Sequence, residues 1–172
     1  GSFGLTTLER RHVRRHGGGL AFQFVGKSGI EHHVLIENEP VIEALQVMRS
    51  RRGGDRLLAY RQGSDWVDLA SGTVNAYLSE LFGGDFTAKD FRTWHATVIF
   101  AAALAVAPAA TTKTARAKAE RTAVVEVASY LGNTPTVAKN SYIEPRVVDL
   151  YESGATIAEA AGGAVVEQLT VH

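Results

Sequence analysis

The sequence predicts an α+β fold, mainly helical, with a small three-stranded antiparallel sheet near its N-terminus. Three observations predict it. β-prone runs separated by glycine turns fill the first 36 residues, and long helix-patterned segments follow to about residue 154. There is also no internal repeat and no clear linker, so residues 1–172 read as one packed α+β domain.

Arg11 to Arg15 is the first strand candidate, and Gly17-Gly18-Gly19 turns the chain after it. Leu20-Ala21-Phe22-Gln23-Phe24-Val25 is strongly β-prone. Lys27-Ser28-Gly29 makes a second turn, and Ile30 to Ile36 returns with His32, Val34 and Ile36 on one face. Lys27 is therefore expected at a hairpin tip.

Helical signals then take over. Glu39 to Arg51 has Pro40 in its first turn, sets Val41, Leu45 and Met48 on one side, and meets Gly53-Gly54. Ser71 to Leu81 is closed by Gly83-Gly84, and Thr87 is a cap for a helix running to Ala107. Lys113 to Leu131 is long and ends at Gly132. Thr134 and Pro135 open a short helix towards Tyr142, and Pro145 opens another that ends near Gly154. The alanine-rich tail from Ala155 admits one more helix.

Composition narrows the chemistry. With 45% apolar residues the chain can bury a core, and with no cysteine it has no disulfide, thiol nucleophile or cysteine-ligated metal. The polar first turn leads to the expectation of no signal peptide, and the apolar stretch from Ala96 to Ala110 is too short for a membrane span. A cytoplasmic setting is expected from the cysteine usage. Net charge is zero, yet Glu9–Arg61 holds ten Lys/Arg against six acids and Thr111–Arg146 holds six against three. Two basic segments on one face would suffice for phosphate contact, because the local potential decides.

Single motifs taken alone read blandly. Gly26-Lys27-Ser28 looks like the end of a phosphate-binding loop, but Ala21 stands where that loop needs glycine. His32 and His33 are adjacent in a strand, point to opposite faces and make no metal pair; His95 reads as structural. Arg92 lies just ahead of a wholly apolar helical run, so an anionic partner is expected, with a carboxylate favoured over a phosphate. Asn133 precedes a helix start, where free N–H groups favour an anion. Tyr142, alone after a short helix, reads as a packing residue.

Together, three clusters resemble the catalytic domain of the type IB DNA topoisomerases, in the small bacterial and poxvirus-like branch. Phe24-Val25-Gly26-Lys27 is similar to the hairpin with the family's general-acid lysine. Lys89-Asp90-Phe91-Arg92-Thr93 is similar to the helix with its second active-site arginine. Gly132-Asn133-Thr134-Pro135, then Lys139 and Ser141-Tyr142, is similar to the segment that ends in its nucleophile. The resemblance begins at Phe3-Gly4-Leu5-Thr6-Thr7-Leu8 and spans nearly the whole chain.

The resemblance implies catalytic roles for Tyr142, Arg92, Lys27 and Asn133. The implied reaction is nicking, relaxation and religation of double-stranded DNA through a 3′-phosphotyrosyl intermediate, by a monomer associated with the nucleoid. It implies no metal, no nucleotide cofactor and no membrane partner. Two departures stand out. Asn133 occupies a position where many relatives have histidine, and an amide donates a hydrogen bond but carries no charge. The family's first active-site arginine and its N-terminal DNA-clamping domain lie upstream of the matched segment, so their absence and impaired activity are expected. A tyrosine recombinase would place histidine where Lys89 and Asn133 stand. A non-catalytic DNA- or partner-binding module is the remaining alternative.

Overall fold

The computed structural model describes residues 1–158, which form two compact units, one of residues 1–86 and one beginning at Thr87. Each of the two has its own apolar cluster.

In the first unit, β1 (Val13–His16), β2 (Gly19–Val25) and β3 (Glu31–Ile36) form an antiparallel sheet in that order. The register pairs Val13 with Phe22 and Phe22 with Val34, so alternate residues share a face. Val13, Leu20 and Phe22 are buried on that face with Leu8, Ile42, Leu45 and Leu57. Strand β1 starts two residues later than expected because Arg10–His12 forms a 3-10 turn. His32 stacks on Phe24 (5.0 Å between centroids) while His33 lies 3.6 Å from Glu31, as alternation requires.

Helix α1 (Glu39–Ser50) is capped by Asn38, whose side chain accepts from the Val41 N–H. Its buried stripe is centred on Ile42 and Leu45; Val41, expected inside, is 43% exposed. A hairpin of β4 (Ala59–Gln62) and β5 (Asp65–Asp68) follows, which the sequence reading lacked. Buried Arg51 braces it by donating to the Leu57 and Arg56 carbonyls and to Asp68 Oδ1 (2.9 Å). Helix α2 (Ser71–Phe82) ends at Gly83 in the left-handed conformation.

The second unit holds α3 (Ala88–Val106), α4 (Lys113–Leu131), α5 (Pro135–Tyr142) and α6 (Pro145–Glu152). Phe100 and Val127 are fully buried where α3 meets α4, and Ala138, Ile143 and Tyr151 bring α5 and α6 onto the same cluster. No helix among the described residues is long and apolar enough to cross a membrane. The tail helix suggested from Ala155 falls largely on residues 159–172, outside the described residues.

Candidate active site

The site is built where α3, the end of α4 and α5 converge. Helix α4 stops because Gly132 adopts the left-handed conformation (φ 65°), which an L side chain takes up only with strain. The Gly132 and Asn133 N–H groups fold back onto the Ala128 and Ser129 carbonyls. The Leu131 carbonyl belongs to the last turn, where helical partners run out. Arg92 Nη2 donates to it at 3.0 Å.

This anchor corrects the expectation of a carboxylate partner. Among the described residues no carboxylate pairs with Arg92; the negative end of α4 takes that place. The guanidinium carbon then lies 5.3 Å from the centre of the Tyr142 ring, and Lys89 Nζ lies 6.0 Å from it. One turn of α3 thus directs two cations at one phenol. Lys89, which the sequence reading did not single out as functional, belongs to the site by this geometry.

Tyr142 closes α5, which starts with Thr134 Oγ1 accepting from the Val137 N–H and with Pro135 in the first turn. The ring is half-buried and packs against the apolar cluster, as expected of a packing residue, yet its environment is cationic. Lys139, one helical turn earlier, bonds Glu120 Oε1 at 2.6 Å and holds α5 to α4. Asn133 sits two residues beyond the carbonyl that anchors Arg92. Its Nδ2 is shielded from solvent and has no acceptor among the described residues. A buried donor left unpaired costs about 1–3 kcal/mol, so an acceptor such as a water or a ligand oxygen is called for beside it.

The α3 N-terminus is set by Asp90, whose Oδ2 accepts from the Thr87 hydroxyl (2.7 Å) and the Thr87 N–H (2.8 Å). The Thr87 hydroxyl, and then its N–H, hold the Asp90 carboxyl below its ordinary pKa. A depressed folded-state pKa means the cap contributes at neutral pH and is lost as pH falls through that lowered value. Asp90→Ala should therefore speed amide exchange at Thr87 near neutrality, while at pH below the carboxylate range the variant and the wild type should exchange alike. Equal exchange at neutral pH would contradict the cap.

Lys27 belongs to the first unit. It opens a 3-10 turn, Lys27–Gly29, between β2 and β3, and is exposed. Before it, a Cβ at Gly26 would collide with the His32 ring, so a larger residue there requires that ring to move off its place beside Phe24. Sequence reasoning placed Lys27 at a hairpin tip, and the structure has it there. Arg92, Tyr142 and Asn133 gather in the helical unit.

Comparison with known proteins gives these positions a setting. A family model described as eukaryotic DNA topoisomerase I, catalytic core, matches residues 1–160. DNA topoisomerase 1B of Acanthamoeba polyphaga mimivirus is 29% identical over 160 residues, covering 88% of this chain and 47% of that protein. The chain thus spans about half the length of this relative.

Proposed function

The chain belongs to the type IB DNA topoisomerase catalytic-core family, and on that premise we propose that it cuts and reseals one strand of duplex DNA through Tyr142. The observation that carries this reading is the pair of cations over the Tyr142 ring, Arg92 at 5.3 Å and Lys89 at 6.0 Å. Of the five tyrosines, Tyr142 is the one over whose ring both cations lie; Tyr151 is buried, and Tyr60, Tyr77 and Tyr130 are exposed.

Transesterification requires a nucleophile, stabilisation of the charged phosphorane-like transition state and a proton for the departing oxygen. The Tyr142 oxygen forms a bond to the scissile phosphorus and gives up its proton to solvent water as it attacks. The bond from phosphorus to the 5′-oxygen breaks, leaving a 3′-phosphotyrosyl link. Arg92 holds two non-bridging oxygens with its planar fork, whose remaining N–H groups have no partner among the described residues. Asn133 Nδ2, which has no acceptor among the described residues, donates to one of them as a neutral group. Lys89 adds positive charge beside the phenol. Lys27, on the β2–β3 hairpin, gives a proton to the 5′-oxygen.

Religation is the reverse attack by the 5′-hydroxyl. The phosphotyrosyl ester keeps the energy of the broken linkage, so the cycle needs no ATP, and with Arg92, Lys89 and Lys27 supplying the positive charge it needs no metal ion. Relaxation of a supercoiled plasmid in the presence of a metal chelator and without nucleotide tests the cycle as a whole; a strict requirement for either additive would contradict it.

The proton role of Lys27 has a sharper test. Lys27→Ala should slow cleavage strongly when the leaving group is a 5′-oxygen, within the about 10²–10⁴-fold expected of a general acid. It should slow cleavage far less when the leaving group is 5′-sulfur, which departs without protonation. Equal slowing of both substrates would remove the role.

A further inference from the structure

Helix α5 ends and helix α6 begins within three residues, and the proposed nucleophile sits at that junction. Tyr142 is the last residue of α5, so its carbonyl is one of those that helical geometry leaves without a partner. Glu144 caps α6, and Pro145 follows it with no N–H to offer. Between them Ile143 is 5% exposed and packed in the core, which fixes one point of the turn. A single side chain meets the groups on either side. Thr97 Oγ1, on α3, donates to the Tyr142 carbonyl (3.4 Å) and accepts from the Glu144 N–H (3.2 Å).

A hydroxyl has one donor and two acceptor positions, so both bonds form at once without competition. Thr97 stands five residues after Arg92 on the same helix. Helix α3 therefore holds the Tyr142 ring from one side through Arg92 and fixes the Tyr142 backbone through Thr97. A valine in this place would fill the same volume and offer neither bond.

We propose that Thr97 is a positioning residue for the nucleophile: its hydroxyl fixes the Tyr142–Glu144 backbone so that the phenol stands in register with Arg92. The inference rests on the reading of Tyr142 as nucleophile. Thr97 does not touch the reacting atoms, and its effect falls on the rate of attack rather than on DNA affinity. In-line displacement is sensitive to placement, since a shift of about 1 Å at the reacting atoms costs about 10²-fold in rate.

The test measures single-turnover formation of the covalent adduct at saturating duplex, with duplex affinity and melting temperature recorded for each variant. Thr97→Val should slow adduct formation by about 10–10²-fold while duplex affinity holds. Thr97→Ser should return to within a few-fold of wild type, because it restores the hydroxyl. The Glu144 amide should exchange faster in Thr97→Val than in wild type or Thr97→Ser. If valine prevents folding, Thr97→Ala supplies the same comparison without added bulk.

A wild-type rate in Thr97→Val, a Thr97→Ser as slow as Thr97→Val, or an unchanged Glu144 amide would each overturn the positioning role. These leave the nucleophile reading standing, because the wild type still forms its adduct. A wild type with no Tyr142-dependent adduct overturns that reading, and the role of Thr97 falls with it.

Discussion

Tyr142→Phe should yield no covalent DNA adduct while folding and duplex affinity stay close to wild type. The substitution deletes one oxygen and keeps the ring, and the ring is what packs against the apolar cluster and faces Arg92 and Lys89. The loss should therefore be complete in chemistry and small in stability, since the volume of the side chain is preserved. Filter binding and thermal melting of the variant separate the two effects. An adduct of undiminished yield would mean that another group attacks.

The second large effect is expected at Arg92. Its guanidinium is tethered by one nitrogen to the Leu131 carbonyl, so it approaches a phosphate already oriented. Losing a preorganised donor of this kind costs about 10²–10³ in cleavage rate, and Arg92→Ala should lose at least that much. Arg92→Lys should recover little. An ammonium is a point charge on a flexible stem and cannot hold the Leu131 carbonyl while engaging two phosphate oxygens in one plane. Single-turnover cleavage of a nickable duplex reads both variants; a near-wild-type rate for Arg92→Lys would show that charge alone is required. The melting temperature of Arg92→Ala should fall only modestly, because the bond it removes is a single one at a helix end.

Much of the fold was legible because local signals and burial agree. Pro40, Thr134 and Pro135 mark helix starts that the backbone adopts, and Gly83 and Gly132 mark stops through their left-handed conformation. The β4–β5 hairpin was missed. Its Gly63-Ser64 turn was a readable signal, but Tyr60, Arg61 and Gln62 are all exposed and give no apolar alternation. Val41 was assigned inward in place of Ile42 because both lie near the edge of the same helical stripe, and only the neighbouring sheet decides between them.

The site was legible as residue types and less so as contacts. Arg92 and Asn133 were noticed for their positions at helix ends, yet the anchor of Arg92 lies 39 residues away at a carbonyl, which no side-chain pattern announces. Lys89 and Thr97 escaped for the same reason. Thr97 meets partners 45 and 47 residues on, and its role depends on how α5 turns into α6. Tyr142 read as a packing residue until the clusters were taken together, and its ring does pack.

The most direct test of the account identifies the attached residue. Protein incubated with a suicide duplex, in which the cleaved strand loses a short 5′-hydroxyl fragment, accumulates any covalent intermediate. Proteolysis and mass spectrometry then locate the nucleotide. The account predicts a single modified peptide, the one containing Ser141-Tyr142-Ile143, with the 3′-phosphate of the DNA esterified to the Tyr142 oxygen. Attachment at Tyr60, Tyr77, Tyr130 or a serine, or no adduct from a protein that binds the same duplex, would contradict it.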